Sequence, residues 1–464
     1  MDRPFPRRTK IVATLGPASS SPEMIRRMIL AGMDVARLNF SHGSHDGHAR
    51  TISLLRTISA EMKTPVTIMQ DLQGPKVRVG SLPGGEMALR DGDEVAIIPE
   101  AEFDGRPATI PIDYAHAAEE AQVGMRILMA DGLLELSVEG IDGNALRCRV
   151  VRGGALANRK GVNFPALNLN LPSLTEKDVR DLEFGLDHGV DVVSLSFVRA
   201  AKDVHLLEER ISAKGLRTPI VAKIERPQAI DNLEDILSVA QGVMVARGDL
   251  GVEMSPEKVP MLQKRIIERC NRRGLPVITA TQMLESMVRE PRPTRAEASD
   301  VANAIIDGTD AVMLSGESAT GAYPVEAVEM MARIAVEVES GVEFRSYPAE
   351  IGNRRAMAEA AKALARAMDP ACVAVFADRG DIPLALAAGR LRTPVVVLTT
   401  DAALRHALNL VWGVRPVLIP EMPSSAAGYV ACADAELAEK DLASSGNHVV
   451  VLGGMDFIQV HRIA

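Results

Sequence analysis

The chain has 464 residues, 47% hydrophobic, 24% charged and 3% aromatic with a single Trp, enough for roughly two to four globular domains with aliphatic cores. A net charge of −9 speaks against a nucleic-acid-binding surface and leaves room for a local basic pocket. The four cysteines, Cys148, Cys270, Cys372 and Cys432, show no CxxC spacing, the basic N-terminus lacks the apolar core of a signal peptide, and no apolar run is long enough to span a bilayer. A soluble cytoplasmic protein with no nucleic-acid or membrane partner is expected.

Strand-like runs come first at 10–16 (KIVATLG), 33–41 (MDVARLNFS) and 65–72 (PVTIMQDL). Between the first two, Ser21-Pro22-Glu23 opens a helix that stops at Gly32. A second helical stretch runs from about Asp46 to Met62. From 74 to 171 the rhythm breaks into short alternating segments with Gly, Pro and Asp turns, the signature of a small all-β module. Ser173-Leu174-Thr175-Glu176 then fits a capping box. Five more strands follow at 190–198, 218–225, 242–249, 275–281 and 309–317, with helical segments between them.

Three strands before the interruption and five after it suggest eight βα units closing into a parallel (β/α)8 TIM barrel. A doubly wound sheet is the alternative, but it needs fewer strands or a Gly-rich first turn. The expected division is 1–73 and 172–343 for the catalytic barrel, 74–171 for an inserted lid, and 344–464 for a C-terminal α/β domain. That last region carries strand candidates at 371–377, 394–400, 415–420 and 448–454.

Chemistry collects at the expected carboxyl ends of the barrel strands, where such barrels build their sites. Arg37, Asn39 and Ser41 alternate on strand two, and Asp71 ends strand three. Lys223 and Glu225, two apart on strand five, share a face. Strand six ends in Arg247-Gly248-Asp249, strand seven in Thr281, and strand eight leads to Ser315 and Glu317. For the Lys223–Asp249 stretch alone, a buried ion pair on a barrel rim is the other reading. Adjacent strands lie about 4.8 Å apart, so Glu225 and Asp249 suit one shared Mg²⁺. A divalent ion ringed by Lys and Arg matches phosphoryl transfer, which needs alignment and charge neutralisation more than covalent help. Neither a GxSxG elbow nor a GxxxxGK[ST] loop is present. The turn Gly248-Asp249-Leu250-Gly251 offers backbone N–H groups to a carboxylate.

The blocks MDVARLNFSHG, MQDLQGPKVRVG, VAKIERPQAI, VMVARGDLGVEM, PVITATQMLESM and RPTRAEASDVANAIIDGTDAVMLSGESATGAYPVEAV resemble the pyruvate kinase family. The resemblance runs the length of the chain. It implies a (β/α)8 barrel with an inserted β-barrel lid and a C-terminal α/β domain. It implies transfer of the phosphoryl group of phosphoenolpyruvate to ADP, giving pyruvate and ATP. Glu225 and Asp249 would then hold Mg²⁺ (or Mn²⁺), and Lys223 would face the moving phosphoryl group. Arg37 would bind the substrate phosphate. Gly248, Asp249 and Thr281 would take the substrate carboxylate, and Arg78 with Asn39 the nucleotide. Thr281, Ser315 and Glu317 are candidates for the proton relay to enolpyruvate. The resemblance also implies a homotetramer.

Two departures from the commoner family pattern stand out. Most members bind K⁺ near the residues matching Asn39, Ser41, Asp71 and Leu72, and carry Thr at position 72 and Glu at position 76. Here Leu72, Gln73 and Lys76 resemble the K⁺-independent branch, in which a tethered ammonium supplies the ion's charge; K⁺ is expected not to be required. The loop Phe376-Ala377-Asp378-Arg379-Gly380-Asp381 replaces a hydroxyl-rich sugar-bisphosphate loop with two acids, so fructose 1,6-bisphosphate is not expected to activate there.

Three weaker signals receive plain structural readings. His42, His45 and His48 are expected to form a loop entering a helix, Asp131-Gly132 a β-turn with a role in lid closure left open, and Met283, Met287, Met330 and Met331 core. A Mg²⁺-dependent lyase or mutase and a catalytically silent binding protein are the competing functions.

Overall fold

A computed structural model describes residues 7–165, 167, 171–347, 353–454 and 457–463. Ser21 caps the first helix, Pro22–Ala31, its hydroxyl accepting from the Met24 amide, with Pro at the first helical position. Gly32 ends that helix at φ 121°, a conformation that a side chain would strain.

Eight parallel strands close into a barrel. In chain order they are Lys10–Leu15, Val35–Asn39, Thr67–Asp71, Val192–Leu195, Ile220–Ile224, Gly242–Ala246, Val277–Ala280 and Ala311–Leu314. The alternation of each strand sorts its side chains. Ile11, Ala13 and Leu15 join the core beneath the surrounding helices, while Val12 joins a separate inner cluster. Every strand feeds that inner cluster, from Val12 on the first to Met313 on the last, and Leu410 of the C-terminal region completes it.

The insertion between strands three and four is all-β apart from short helical turns. It holds a six-stranded and a two-stranded sheet. The six-stranded sheet has Thr109–Ile112 at one edge and Val162–Asn163 at the other. Residues 77–80 close the ring between these edges: Val79 bridges Ile112, and Arg78 bridges Gly161. The Val162 amide also donates to the Val77 carbonyl at 2.9 Å. The segment that leads into the lid therefore also completes it.

Two local expectations shift. The capping box lies two residues later than read: Thr175 caps, and Asp178 returns the bond to the Thr175 amide. Asp178 serves as well as Glu because its carboxylate also reaches the Gly74 amide at the lid entrance, 3.0 Å away. The sixth strand stops at Ala246, and Arg247–Glu253 is a short helix. The C-terminal region has a five-stranded sheet, with the four expected strands parallel. A fifth, Phe457–Arg462, pairs antiparallel to His448–Gly453 and was not read from the sequence. Its residues are half-buried or exposed, so its apolar pattern is weak.

Candidate active site

The carboxyl ends of strands three, four and five converge on one ammonium. Lys223 Nζ lies 3.0 Å from Glu225 Oε1 and 3.2 Å from Asp71 Oδ1, and donates to Ser196 Oγ at 2.7 Å. Burial opposes the charge on Lys223, but Asp71 and Glu225 outweigh it and hold the ammonium above its usual pKa. Arg37 closes the other side of Asp71: its Nε donates to Oδ2 at 2.7 Å, and Nη1 donates to Thr14 Oγ1 at 2.9 Å. Burial would raise the Asp71 pKa, yet Lys223 and Arg37 together keep it below the ordinary value.

Glu225 behaves differently. Burial pushes its carboxyl up, Lys223 opposes this, and Asp249 raises it further. A buried carboxylate facing a second, partly exposed one that repels it is a donor set for a divalent cation. Mg²⁺ commonly takes one or two carboxylates and fills its remaining positions with water and substrate oxygens, so this pair fits it. The second oxygen of Glu225 accepts from the Phe197 amide at 2.8 Å. Phe197 stands at φ 55°, an unusual conformation for an aromatic residue, and Gly74 packs so closely that a Cβ there would lie 2.9 Å from the Phe197 ring.

Lys76 reaches this centre from the lid entrance. Its Nζ lies 3.2 Å from Asp249 Oδ1 and 3.9 Å from Asp131 Oδ1. Asp131 sits in a turn whose residues Ala130, Asp131 and Gly132 all have positive φ, and Gly132 faces Val252 of the Arg247–Glu253 helix. The expected β-turn is thus a lid tip resting on the barrel. Lys76 does not enter the Asn39, Ser41, Asp71 and Leu72 group. There Asn39 Oδ1 accepts from the Ser41 amide, and the buried Leu72 donates its amide to the Ser194 carbonyl.

Thr281 and Gln282 follow strand seven at φ 70° and 53°. Arg247 holds that turn, donating to the carbonyls of Thr281 at 2.8 Å and Gln282 at 3.2 Å, and pairs with Asp300 at 2.7 Å. The Gly248 amide donates to Thr281 Oγ1 at 2.7 Å, so these two groups are joined to each other. Glu317 is fully buried and accepts from the amides of Ser315 at 2.8 Å and Leu284 at 3.0 Å. Both its oxygens hold backbone.

Arg78 donates to the Arg159 carbonyl at 3.1 Å. The His42 imidazole is lowered by burial first, then by the charges of Arg78, Arg37 and Lys177. Three cations thus surround the loop after strand two, at the mouth of the site. His45 pairs with Asp181 at 2.8 Å and stacks on Phe184; His48 bonds the His42 carbonyl at 2.9 Å and stacks on Phe40. These imidazoles have partners of their own, as expected for a loop entering a helix. Met283, Met287 and Met331 are core.

Sequence reasoning missed Thr14, Ser196 and Phe197 as members of this network; it placed Arg247 at the end of strand six without a partner and left a role in lid closure open for Asp131. Ser196 was the most accessible of the three missed. Ser194 and Ser196 alternate at the end of an otherwise apolar strand four, the same signal that exposed strand two.

The pyruvate kinase barrel-domain family model matches residues 6–328, and the pyruvate kinase alpha/beta-domain model matches 355–462. The chain is 45% identical to pyruvate kinase 2 of Synechocystis over 474 aligned residues, covering 99% of this chain and 80% of that protein. It is 43% identical to pyruvate kinase of Mycobacterium intracellulare, covering 98% of each. A crystal structure of a pyruvate kinase from Cryptosporidium parvum superposes with a TM-score of 0.93 at 34% identity, covering 99% of this chain and 96% of that one. No helix among the described residues is long and apolar enough to cross a membrane. The chain belongs to the pyruvate kinase family and is an enzyme of that kind.

Proposed function

We propose that this site transfers the phosphoryl group of phosphoenolpyruvate to ADP with Mg²⁺ as its divalent ion and without a need for K⁺. The observation that carries the reading is the Lys223 ammonium, buried and held at fixed distances from Asp71, Glu225 and Ser196. Its partners fix its position before substrate arrives, so little reorganisation remains for the reaction. Lys223 then neutralises charge on the migrating group and on the enolate oxygen. Arg37, oriented by Asp71 and Thr14, binds the substrate phosphate. Mg²⁺ would be held by Glu225 and Asp249, and when bound it neutralises phosphoryl oxygens. Gly248, Asp249 and Thr281 receive the substrate carboxylate, which requires the Gly248–Thr281 bond to open or be shared. Arg78 and Asn39 take the nucleotide side. Thr281 and Ser315 are the better relay candidates, since both oxygens of Glu317 are committed to amides.

K⁺ independence rests on Lys76. Its ammonium lies within the active site and pairs with Asp249, so the fixed charge is present at the centre. Supply of that charge acts across a short distance, and no occupation of the Asn39–Ser41–Asp71–Leu72 site is needed. The acids Asp378 and Asp381 disfavour fructose 1,6-bisphosphate at the loop before the helix Asp381–Ala388. The three-domain division at 74–171 and 344, a cytoplasmic location and a homotetramer complete the proposal, the last on family resemblance alone. One assay tests its core: pyruvate release from phosphoenolpyruvate with and without ADP, Mg²⁺ and K⁺. Release should need ADP and Mg²⁺ and be indifferent to K⁺; release without ADP overturns the reaction, and strong K⁺ activation overturns the role of Lys76.

A further inference from the structure

Glu225 and Arg226 are neighbours in sequence and grip the same distant residue, Phe197. Glu225 Oε2 accepts from the Phe197 amide at 2.8 Å, and the Arg226 guanidinium carbon lies 5.1 Å from the centre of the Phe197 ring. Arg226 stands at φ −126° and ψ 151°. Side chains alternate along such extended backbone, so Arg226 is turned away from the carboxylate beside it. Its route to Glu225 runs through Phe197.

The Arg226 guanidinium is buried and loosely paired. Its Nη2 lies 3.9 Å from Glu253 Oε1, and its Nε has no hydrogen-bond partner among the described residues. A desolvated cation held so loosely draws strongly on an aromatic face. Phe197 in turn needs holding, because φ 55° is a conformation that a bulky residue keeps only where its surroundings enforce it.

Glu253 gives the guanidinium a fixed anchor. It is buried at the end of the helix Arg247–Glu253 and accepts from Asn163 Nδ2 at 2.8 Å. Asn163 belongs to the last strand of the inserted β region. Arg226 is therefore anchored to the barrel and to the insertion at once.

We propose that Arg226 is a positioning residue for Glu225. It seats the Phe197 ring, and the seated ring aims the Phe197 amide. The amide fixes one oxygen of Glu225, which leaves the other 3.0 Å from Lys223 Nζ. The carboxylate is thus oriented before a divalent ion arrives, and the ion does not have to immobilise it. This last step rests on the reading of Glu225 as a metal ligand; the seating of Phe197 does not.

Two measurements on the full chain separate the steps. Hydrogen exchange of the metal-free protein, read by mass spectrometry on the peptide that spans Phe197, reports the amide. Arg226→Gln should speed its exchange ~10-fold, and Arg226→Lys, which retains a cation for the ring, should recover part of the protection. Mn²⁺ titration followed by electron paramagnetic resonance reports the carboxylate. Affinity should fall ~5-fold in Arg226→Gln, the scale of ordering one freed side chain, and recover in part in Arg226→Lys. Phe197→Leu should weaken Mn²⁺ binding by itself and make Arg226→Gln almost silent in its background. A role confined to packing would lower the thermal midpoint and leave Mn²⁺ affinity alone.

Unchanged exchange in folded Arg226→Gln overturns the seating of Phe197. Equal losses of Mn²⁺ affinity from Arg226→Gln in the Phe197 and Phe197→Leu backgrounds overturn the route through the ring. Glu225→Gln is the control for the metal reading. Where it weakens Mn²⁺ binding and Arg226→Gln does not, the orienting role falls and the metal reading stands. Where it leaves Mn²⁺ affinity intact, the metal reading falls, and the exchange rates alone decide whether Arg226 seats the amide that holds Glu225.

Discussion

Lys76, at the entrance to the lid, places its Nζ 3.2 Å from Oδ1 of Asp249, 173 residues further along the chain. The pair makes the lid entrance part of the candidate site. Lys76→Glu would replace this attraction with repulsion beside the carboxylate proposed to hold the metal. Activity in K⁺-free buffer should fall by ~10² or more, because a carboxylate placed beside Asp249 removes the fixed cation and adds a like charge at the site. Added KCl should recover much of the loss, whereas tetramethylammonium chloride should not. The unmodified enzyme should respond equally to both salts; preferential activation by KCl would remove the case for Lys76 as a fixed cation.

Gly161 controls the path of the same side chain. A Cβ at this position would lie 2.7 Å from Lys76 Cε. Gly161→Ala must therefore displace the lysine stem, because Gly161 is fixed by its bridge to Arg78. Turnover should drop several-fold, on the order of 1 kcal/mol. In a Lys76→Ala background the same change should be almost silent. Equal losses in both backgrounds would show that Gly161 acts on the lid and not through Lys76.

The barrel and most of the Lys223 centre were legible because strand alternation leaves a clear trace. Arg37 and Asn39, or Lys223 and Glu225, cannot stand two apart on a buried strand without a polar purpose. The C-terminal limit of strand six was harder, since the helix starts at Arg247, directly after Ala246, with no turn residue between them to mark the change. The partners of Lys76 were invisible for another reason. Its pairing with Asp249 depends on how the lid closes over the barrel, a relation between distant segments that no local pattern encodes. Ring closure by residues 77–80 is of the same kind, resting on two isolated bridges. The strain at Phe197 and Thr281 also lacks a local signal, because neither residue type favours positive φ.

Arg390 joins the C-terminal region to the base of the barrel. It is buried and pairs with Asp310 at 3.1 Å, donates to the Gly308 carbonyl at 2.6 Å, and lies 4.9 Å over the Trp412 ring. Asp310 in turn accepts from the Val277 amide at 2.9 Å, at the start of strand seven. Arg390→Met strands that carboxylate in a dry site and should destabilise the protein by about 3–5 kcal/mol. The thermal midpoint should fall by several degrees, and limited proteolysis should cleave between the barrel and the C-terminal region sooner. A midpoint unchanged within error would show that the contact is not structural.

The cysteines give a pH-dependent readout. Burial pushes the Cys148 and Cys372 thiols up to about 12, and raises Cys270 as well. Cys432 is raised less deeply, in a half-buried position. Folded protein at a pH near 9 should be alkylated first at Cys432, with the other three protected until unfolding. The stability consequence has a definite sign. Unfolded thiols ionise near ~8.5 while the folded ones stay protonated, so the unfolded state binds fewer protons and stability declines as pH rises above that value. Rapid labelling of Cys148 or Cys372 in native protein, read by peptide mass spectrometry, would contradict this.

Lys223→Met removes the charge on which the other residues of the centre converge. Asp71 keeps Arg37, but Glu225 loses its only cationic side-chain partner among the described residues and is left with the Phe197 amide and the repulsion of Asp249. Two consequences follow from that asymmetry. ATP formation should fall by ~10³ or more, because the charge that develops during transfer is no longer met by a fixed ammonium. The divalent ion should still bind, and more tightly, because it no longer competes with Lys223 for Glu225. Mn²⁺ titration followed by electron paramagnetic resonance reads the second effect apart from the first, and circular dichroism reports whether the barrel remains folded. Near-normal turnover in a folded variant would place the reacting group elsewhere. Loss of Mn²⁺ binding would instead show that Lys223 shapes the metal site and does not compete with the metal.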